Sequence, residues 1–479
     1  VAGREAIRVV CYAVNGTGVG HVTRLLAIAR WLRRYAAALD RRVEVWFLTS
    51  SEADGLVFAE GFAAFKIPSK TIVAEVGIDR TTYVALAKQW VWHTLGLLRP
   101  DLLVVDTFPR GSFGELLGAL DLCRRTAFVY RPVRLEVAQR PDFQAMLALY
   151  DLLLVPETSA EVLVPPRGKD RVVHVGPVLG RERWELLPRD VARQRLGVPE
   201  GARCIFVSAG GGGDRDAEAQ IARAVRALAA DGSMRVVVGA GPLYRGRPFP
   251  GVTILQGRAA ESMLAFDAAV SAAGYNAFGE LMFAGVPTAF LPQTKLADDQ
   301  AARAAIAVNA GAGVMLEAGW DGERIHAAIA ALVARSPRDV ARSLVPENGA
   351  RVAAAELLRL VCPPRDVDRV EATLDDARGA RLFAAGGARE LAILRQAQRL
   401  ARGREDELGA AVDRTAALLE RLGPDEAREL RGIVDAIVRG LPTSSVAARA
   451  AACEEALRGL GAIGPGDQRA SSSSRRSTK

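Results

Sequence analysis

At 479 residues with 50% hydrophobic content, the chain exceeds one ordinary domain and carries enough apolar side chains to fill more than one core. Its formal charge of +8 does not imply nucleic-acid binding, because only six of its 63 basic residues are lysines and the arginines run the length of the chain instead of forming one stripe. Five cysteines, at 11, 123, 204, 362 and 453, are odd in number and hold no C-x-x-C pair, which argues against a disulfide framework or structural zinc. No run reaches the roughly 18 apolar residues of a membrane-spanning helix, and no leader pattern precedes Ile7, so a soluble cytoplasmic protein is expected.

The first third alternates short β-branched runs with amphipathic stretches, the pattern of a parallel sheet wrapped by helices. A strand is predicted over residues 7–13, a helix over 23–39 with Leu25, Leu26, Ile28, Ala29 and Leu32 near helical spacing, and a second strand over 43–48. Between the first strand and the helix lies Asn15-Gly16-Thr17-Gly18-Val19-Gly20-His21-Val22-Thr23-Arg24. Glycines let a backbone turn tightly and approach a ligand, while a helix start offers unpaired N–H groups. A dinucleotide loop would need G-x-G-x-x-G and an acidic residue closing the second strand. Gly16, Gly18 and Gly20 miss that spacing and the second strand runs into Thr49-Ser50, so neither nicotinamide nor flavin is expected.

His21, one of four histidines, falls at the carboxyl edge of this sheet, where α/β folds bind ligands. An imidazole there suits removal of a proton from an attacking hydroxyl; a histidine that only bonds its own helix start is the plainer alternative. His93, His174 and His326 lack comparable surroundings. The stretch 82–98, with Tyr83, Trp90, Trp92 and several leucines, reads as helix core or else as an apolar acceptor wall or membrane-facing patch. A strand over 102–105 delivers Asp106 to the same edge as His21, to orient the imidazole or to cap the next turn. Strands over 126–130 and 152–155 complete a first lobe taken as residues 1–164.

A Pro-, Gly- and charge-rich stretch over 165–183 marks a boundary, after which the same grammar restarts for a second lobe taken as 165–362. Strands over 204–208, 234–238, 252–255, 268–271 and 288–291 alternate with helices over 216–230, 277–283 and 299–308. The strand at 204–208 runs into Gly210-Gly211-Gly212-Gly213-Asp214 ahead of a helix, a nest of N–H groups suited to a diphosphate. Further on come Ser271-Ala272-Ala273-Gly274-Tyr275-Asn276-Ala277-Phe278-Gly279-Glu280, then Gly285-Val286-Pro287, Pro292 and Asp298-Asp299-Gln300. Beyond 361 the composition turns to Ala, Leu, Arg and Glu without strand-like runs, which predicts a helical extension over 363–465 and a low-complexity tail over 466–479.

The order Gly-aromatic-Asn, Glu, Gly-Val-Pro, Asp-Gln resembles the donor-binding segment of inverting two-lobed (GT-B type) nucleotide-sugar glycosyltransferases. Both the UDP-glycosyltransferases and the peptidoglycan lipid-intermediate N-acetylglucosaminyltransferase carry it. The resemblance implies an α/β fold of two Rossmann-like lobes facing each other across a cleft. It also implies that Glu280 holds the donor ribose, Asp299 and Gln300 the sugar hydroxyls, and Asn276 with the backbone around Gly274 and Tyr275 the diphosphate. His21 then looks like the family's catalytic base and Asp106 like its orienting acid, with Gly18 and Gly20 in the loop beside them. Ala272 stands where several relatives carry a diphosphate-binding histidine, so phosphate would lean on Gly210 to Gly213 and on Arg215 or Arg258. Retaining relatives carry two glutamates eight positions apart, whereas the positions eight from Glu280 are Ala272 and Thr288. The expectation is an inverting transfer without a cofactor or a required divalent metal. Its donor is a nucleoside-diphosphate sugar, UDP-linked first, and its acceptor is a small molecule or a lipid-linked or cell-envelope glycan precursor. No nucleic acid is expected, and peripheral contact with a membrane is left open. Two alternatives remain. One is a nucleotide-sugar hydrolase that shares the G-x-G-H-x-x-R loop, here Gly18 to Arg24, and activates water; the other is a non-catalytic nucleotide-sugar-binding protein.

Overall fold

The computed structural model describes residues 6–14, 18–39, 41–158, 160–208, 215–241, 244, 249–256, 259–294, 298–317 and 319–375. Gly210 to Gly213, Arg258, most of the helical extension and the whole tail lie outside the described residues.

The first lobe is a seven-stranded sheet in the order β3-β2-β1-β4-β5-β6-β7. Its strands are β1 (Ile7–Ala13), β2 (Val43–Thr49), β3 (Ala63–Lys66), β4 (Leu102–Asp106), β5 (Thr126–Val129), β6 (Leu152–Val155) and β7 (Val172–His174), all paired in parallel. Parallel neighbours need crossovers, and α1 (Gly20–Ala38) and α2 (Arg80–Leu98) supply two of them. Along α2 the buried residues are Tyr83, Ala87, Val91 and Leu95, one per helical turn. Val91 and Leu95 pack with Val10, Tyr12, Leu103, Val105 and Phe128 on one face of the sheet, so the stripe is core, while Leu86, Trp92 and Leu97 on the same helix are exposed.

The second lobe repeats the scheme with six parallel strands, β10-β9-β8-β11-β12-β13. They are β8 (Arg203–Ser208), β9 (Met234–Ala240), β10 (Thr253–Gln256), β11 (Ala268–Ser271), β12 (Thr288–Phe290) and β13 (Gly313–Met315). Cys204 and Phe206 of β8 enter one buried cluster and Ile205 and Val207 the opposite one, the period-two signature of a sheet covered on both faces. The connecting helices include α3 (Arg215–Ala229), α4 (Tyr275–Ala284), α5 (Gln300–Asn309), α6 (Gly322–Arg335) and α7 (Ala350–Arg359).

In both sheets the chain starts near the middle and reverses its direction of growth, between β1 and β4 in one and between β8 and β11 in the other. Helices on the two sides of such a reversal diverge and leave a crevice at the carboxyl ends of the strands. Connectivity therefore sets His21 beside Asp106, and the end of β8 beside the Ala272–Asn276 turn.

Three strands go beyond the sequence reading, namely β3, β7 and β13. All are three or four residues long and lie at or near a sheet edge, too short for a periodic signal. β7 lies inside the stretch taken as a boundary, so the first sheet continues past residue 164. The chain divides into two compact units, one of residues 1–33 with 42–364, which holds both lobes, and one of residues 34–41 with 365–479. The last described element is α8 (Pro364–Asp375).

Candidate active site

His21 sits in the first turn of α1, delivered there by β1 and its glycine loop, and is 7% exposed. Its Nδ1 lies 3.1 Å from Oδ1 of Asp106, the last residue of β4 and fully buried. That distance is an ion-pair contact, yet Nδ1 has no hydrogen-bond partner of good alignment. Both carboxylate oxygens are instead engaged by Arg24, from Nε at 2.7 Å and Nη2 at 2.8 Å. Thr107 also donates its hydroxyl to Asp106. Burial by itself would raise the Asp106 carboxyl, but the charge of Arg24, its two hydrogen bonds and the nearby His21 more than offset it and hold the group well below the usual carboxylate range. Phe108, 38% exposed, stacks on the imidazole with ring centroids 5.6 Å apart.

The second lobe meets this pair through the turn into α4. Asn276 donates from Nδ2 to the Gly20 carbonyl at 3.2 Å and to Thr23 Oγ1 at 2.6 Å, and its Oδ1 accepts from Arg24 Nη1 at 3.2 Å. Tyr275 donates its hydroxyl to the Pro156 carbonyl, and the guanidinium groups of Arg24 and Arg303 lie 5.1 and 5.4 Å from its ring centroid. Burial pushes the Tyr275 phenol well above its ordinary value. Gly274 forms the N-cap of α4, and its Cα approaches the Gln300 amide: an added Cβ would lie 3.9 Å from Nε2. Two residues with side chains hold positive φ on either side of the crevice, Thr107 at 64° and Ala273 at 57°. Such strain persists where the surroundings enforce it, and it clusters at functional sites.

Glu280 faces the segment joining the lobes, with Gly180 close to its Oε1. Burial pushes its carboxyl up to about 7, against the opposing pull of Arg181 and the Gly180 N–H. Of the Asp-Asp-Gln triplet, Asp299 is the N-cap of α5 and accepts from the Ala302 N–H at 3.0 Å. Gln300 is buried, accepting from the Gln293 N–H at 2.9 Å and reaching Asp298 at 3.5 Å. Asp298 instead looks across the crevice, with Arg131 of the first lobe at 2.6 Å and Arg303 at 2.8 Å. Gly18 and Gly20 lie where α1 begins, and the Asn276 amide stands 3.7 Å from where a Gly20 Cβ would be.

At the carboxyl ends of β8 and β11 is a small cavity of about 10 Å³, lined by Ser208, Gln220, Ser271 and Ala272 among others. Ser271 Oγ and Gln220 Oε1 are buried there without partners, and the space admits about one water molecule. The expectation of metal independence took no Asp-x-Asp to occur, yet the sequence holds Asp214-Arg215-Asp216 and Asp366-Val367-Asp368, which removes that ground. Among the described residues no cluster of metal-ligating side chains occurs.

Arg24, Arg131, Asp298 and Arg303 were not among the residues read as functional from sequence. Arg24 carried a usable signal, since a charged residue three positions after His21 on a helix shares its face. Arg131 directly follows β5 and so also emerges at the ligand-binding edge.

No family model matches the chain. Over 66 residues, 14% of this chain, it is 41% identical to an uncharacterised glycosyltransferase of Methanopyrus kandleri, and the match spans 19% of that relative's length. Among solved structures, the glycosyltransferase SnogD from Streptomyces nogalater is 19% identical at a TM-score of 0.50, with 74% of this chain and 100% of that one covered. The calicheamicin glycosyltransferase CalG4 is 19% identical at a TM-score of 0.48, with 78% and 100% covered. At such identities the likeness is one of fold, and the fold is the two-lobed GT-B architecture.

Proposed function

We propose that the chain is an inverting glycosyltransferase that moves a sugar from a nucleoside diphosphate, UDP first among them, to a hydroxyl or amine of an acceptor. The observation that carries this reading is the meeting of the His21–Asp106 pair with the Tyr275-Asn276 turn across the crevice of a GT-B fold. Nε2 of His21 takes the acceptor proton as the acceptor oxygen or nitrogen bonds to the anomeric carbon. The bond from that carbon to the diphosphate breaks on the opposite face, and the nucleoside diphosphate leaves with the electron pair. Asp106 lies behind the imidazole at Nδ1, where its charge stabilises the imidazolium that forms. The strand, glycine run and helix start read from the sequence over 204–216 support binding of the leaving diphosphate there. The partly exposed Phe108 ring beside His21 supports an acceptor with an apolar face. Closer kinship with UDP-glycosyltransferases or with the lipid-intermediate N-acetylglucosaminyltransferase rests on the ordered motif from Gly274 to Gln300.

The test is donor consumption by the purified chain across a panel of nucleotide sugars, followed by mass spectrometry with and without acceptors. Product that appears only with acceptor, bearing the inverted anomeric configuration, is expected. Consumption to free sugar without acceptor would identify a hydrolase, and tight binding without turnover a nucleotide-sugar-binding protein; either outcome overturns the proposal.

A further inference from the structure

Arg24 is 2% exposed, an unusual place for a guanidinium. Nε and Nη2 hold the two oxygens of Asp106, Nη1 holds Asn276 of the other lobe, and the group lies over the Tyr275 ring. The Asn276 amide is occupied in turn, because both Nδ2 hydrogens have acceptors on α1. The side chain that the resemblance gives to the diphosphate is here a staple from the second lobe onto the first turn of the helix that carries His21. A carboxylate alone would balance the buried charge. The second lobe adds a further hydrogen bond and an aromatic face.

We propose that Arg24 is the positioning residue of this site, through which contact between the lobes sets the orientation of the His21–Asp106 pair. With Asn276 and Tyr275 in place the guanidinium is held by the second lobe as well as by Asp106, and its two parallel bonds fix the Asp106 carboxylate 3.1 Å from Nδ1 of His21. Lysine cannot substitute, since a single ammonium offers no planar fork. For the glycosyl transfer proposed above, on which this consequence rests, the base is oriented only while the two lobes touch. Water that enters a parted crevice then meets an imidazole whose orienting acid is less firmly held, which limits loss of donor to hydrolysis.

The test reads the imidazole directly and needs no substrate. In the ¹⁵N-labelled full chain, the His21 ring signals are assigned by their loss in His21→Gln, and the ratio of the two neutral tautomers is measured at a pH that keeps imidazoles uncharged. A carboxylate fixed at Nδ1 favours the Nδ1–H tautomer. Asn276→Ala, in the other lobe, should lower the share of that tautomer at least roughly threefold, as should Arg24→Lys, and Asn276→Ala should add nothing in the Arg24→Lys background. Asn276→Ser serves where the alanine variant melts early. A tautomer ratio unchanged in folded Asn276→Ala or Asn276→Ser would overturn the proposal, and so would an Asn276 effect that persists in full without Arg24. A wild-type chain that transfers no sugar would sink the transferase reading and leave this result standing.

Discussion

An imidazole works as a base at one nitrogen only when the other is controlled, and Asp106 is the sole carboxylate at Nδ1 of His21 among the described ion pairs. On the proposed mechanism, His21→Ala should cut turnover by about 100-fold to 10,000-fold while donor affinity, which that reading assigns to the other lobe, stays near wild type. Near-normal transfer by a folded His21→Ala protein would refute the mechanism. Asp106→Asn should do two things, because the same carboxylate balances buried Arg24. Turnover should fall, and stability should drop by roughly 3–5 kcal/mol through an uncompensated guanidinium, seen as an earlier melt beside the kinetics. Glu280 has the opposite pH signature to Asp106. Its folded value near 7 lies above its ordinary 4.5, so the folded state binds the proton more tightly and stability declines as pH rises between those values. Glu280→Gln should flatten that part of the stability profile in calorimetry across pH 4 to 8.

At the scale of elements, part of the motif read from sequence as a donor site is helix architecture. Gly285 ends α4 in the left-handed region with φ 71°, the Gly285 N–H bonds the Met282 carbonyl, and the Val286 N–H bonds the Leu281 carbonyl, which together form a Schellman cap. A Cβ there would meet the Arg338 carbonyl at 2.9 Å and Arg342 at 3.0 Å. Gly285→Ala should therefore cost about 1–2 kcal/mol or more, measured as a lowered melting midpoint. Gly349, at the start of α7, is tighter still, because its Cβ would fall within 2.4 Å of the Val175 and Gly176 carbonyls in the segment that joins the lobes. The Asp-Asp-Gln triplet divides in a similar way. Asp299 caps α5, and Asp298, one residue earlier, faces the crevice, because the chain turns into the helix between them.

Across the whole molecule, the two lobes are joined by partly buried charge as well as by the connecting chain. Arg30 of α1 donates to the Gly180 carbonyl at 2.8 Å, and Glu60 bridges Arg30 and Arg181 at 3.3 and 2.5 Å. Trp31 donates to Glu182 at 2.6 Å. On the far side of the crevice Asp298 holds Arg131 and Arg303. Asp298→Ala would leave two mostly buried guanidinium groups without their carboxylate, at a cost of roughly 3–5 kcal/mol. The expected outcome is an earlier thermal transition that resolves into separate steps for the two lobes, read by differential scanning calorimetry. A single transition at the wild-type midpoint would show that the crevice charges do not couple the lobes. Among the described residues no helix is long and apolar enough to cross a membrane.

Sequence by itself determined the repeated strand and helix of each lobe, because alternation and helical spacing are local properties. It also placed His21 and Asp106 at one sheet edge, since the residue that follows a parallel strand emerges at its carboxyl end. The short edge strands β3, β7 and β13 were not legible, because they are held by their neighbours' hydrogen bonds more than by any pattern of their own. Only the tertiary structure decided the partners. Arg24 meets Asp106 across 82 residues and Asn276 across 252, and no spacing rule reaches that far. A buried guanidinium must find acceptors on every exposed edge of its fork, and which groups stand there is settled by how two sheets and their helices pack.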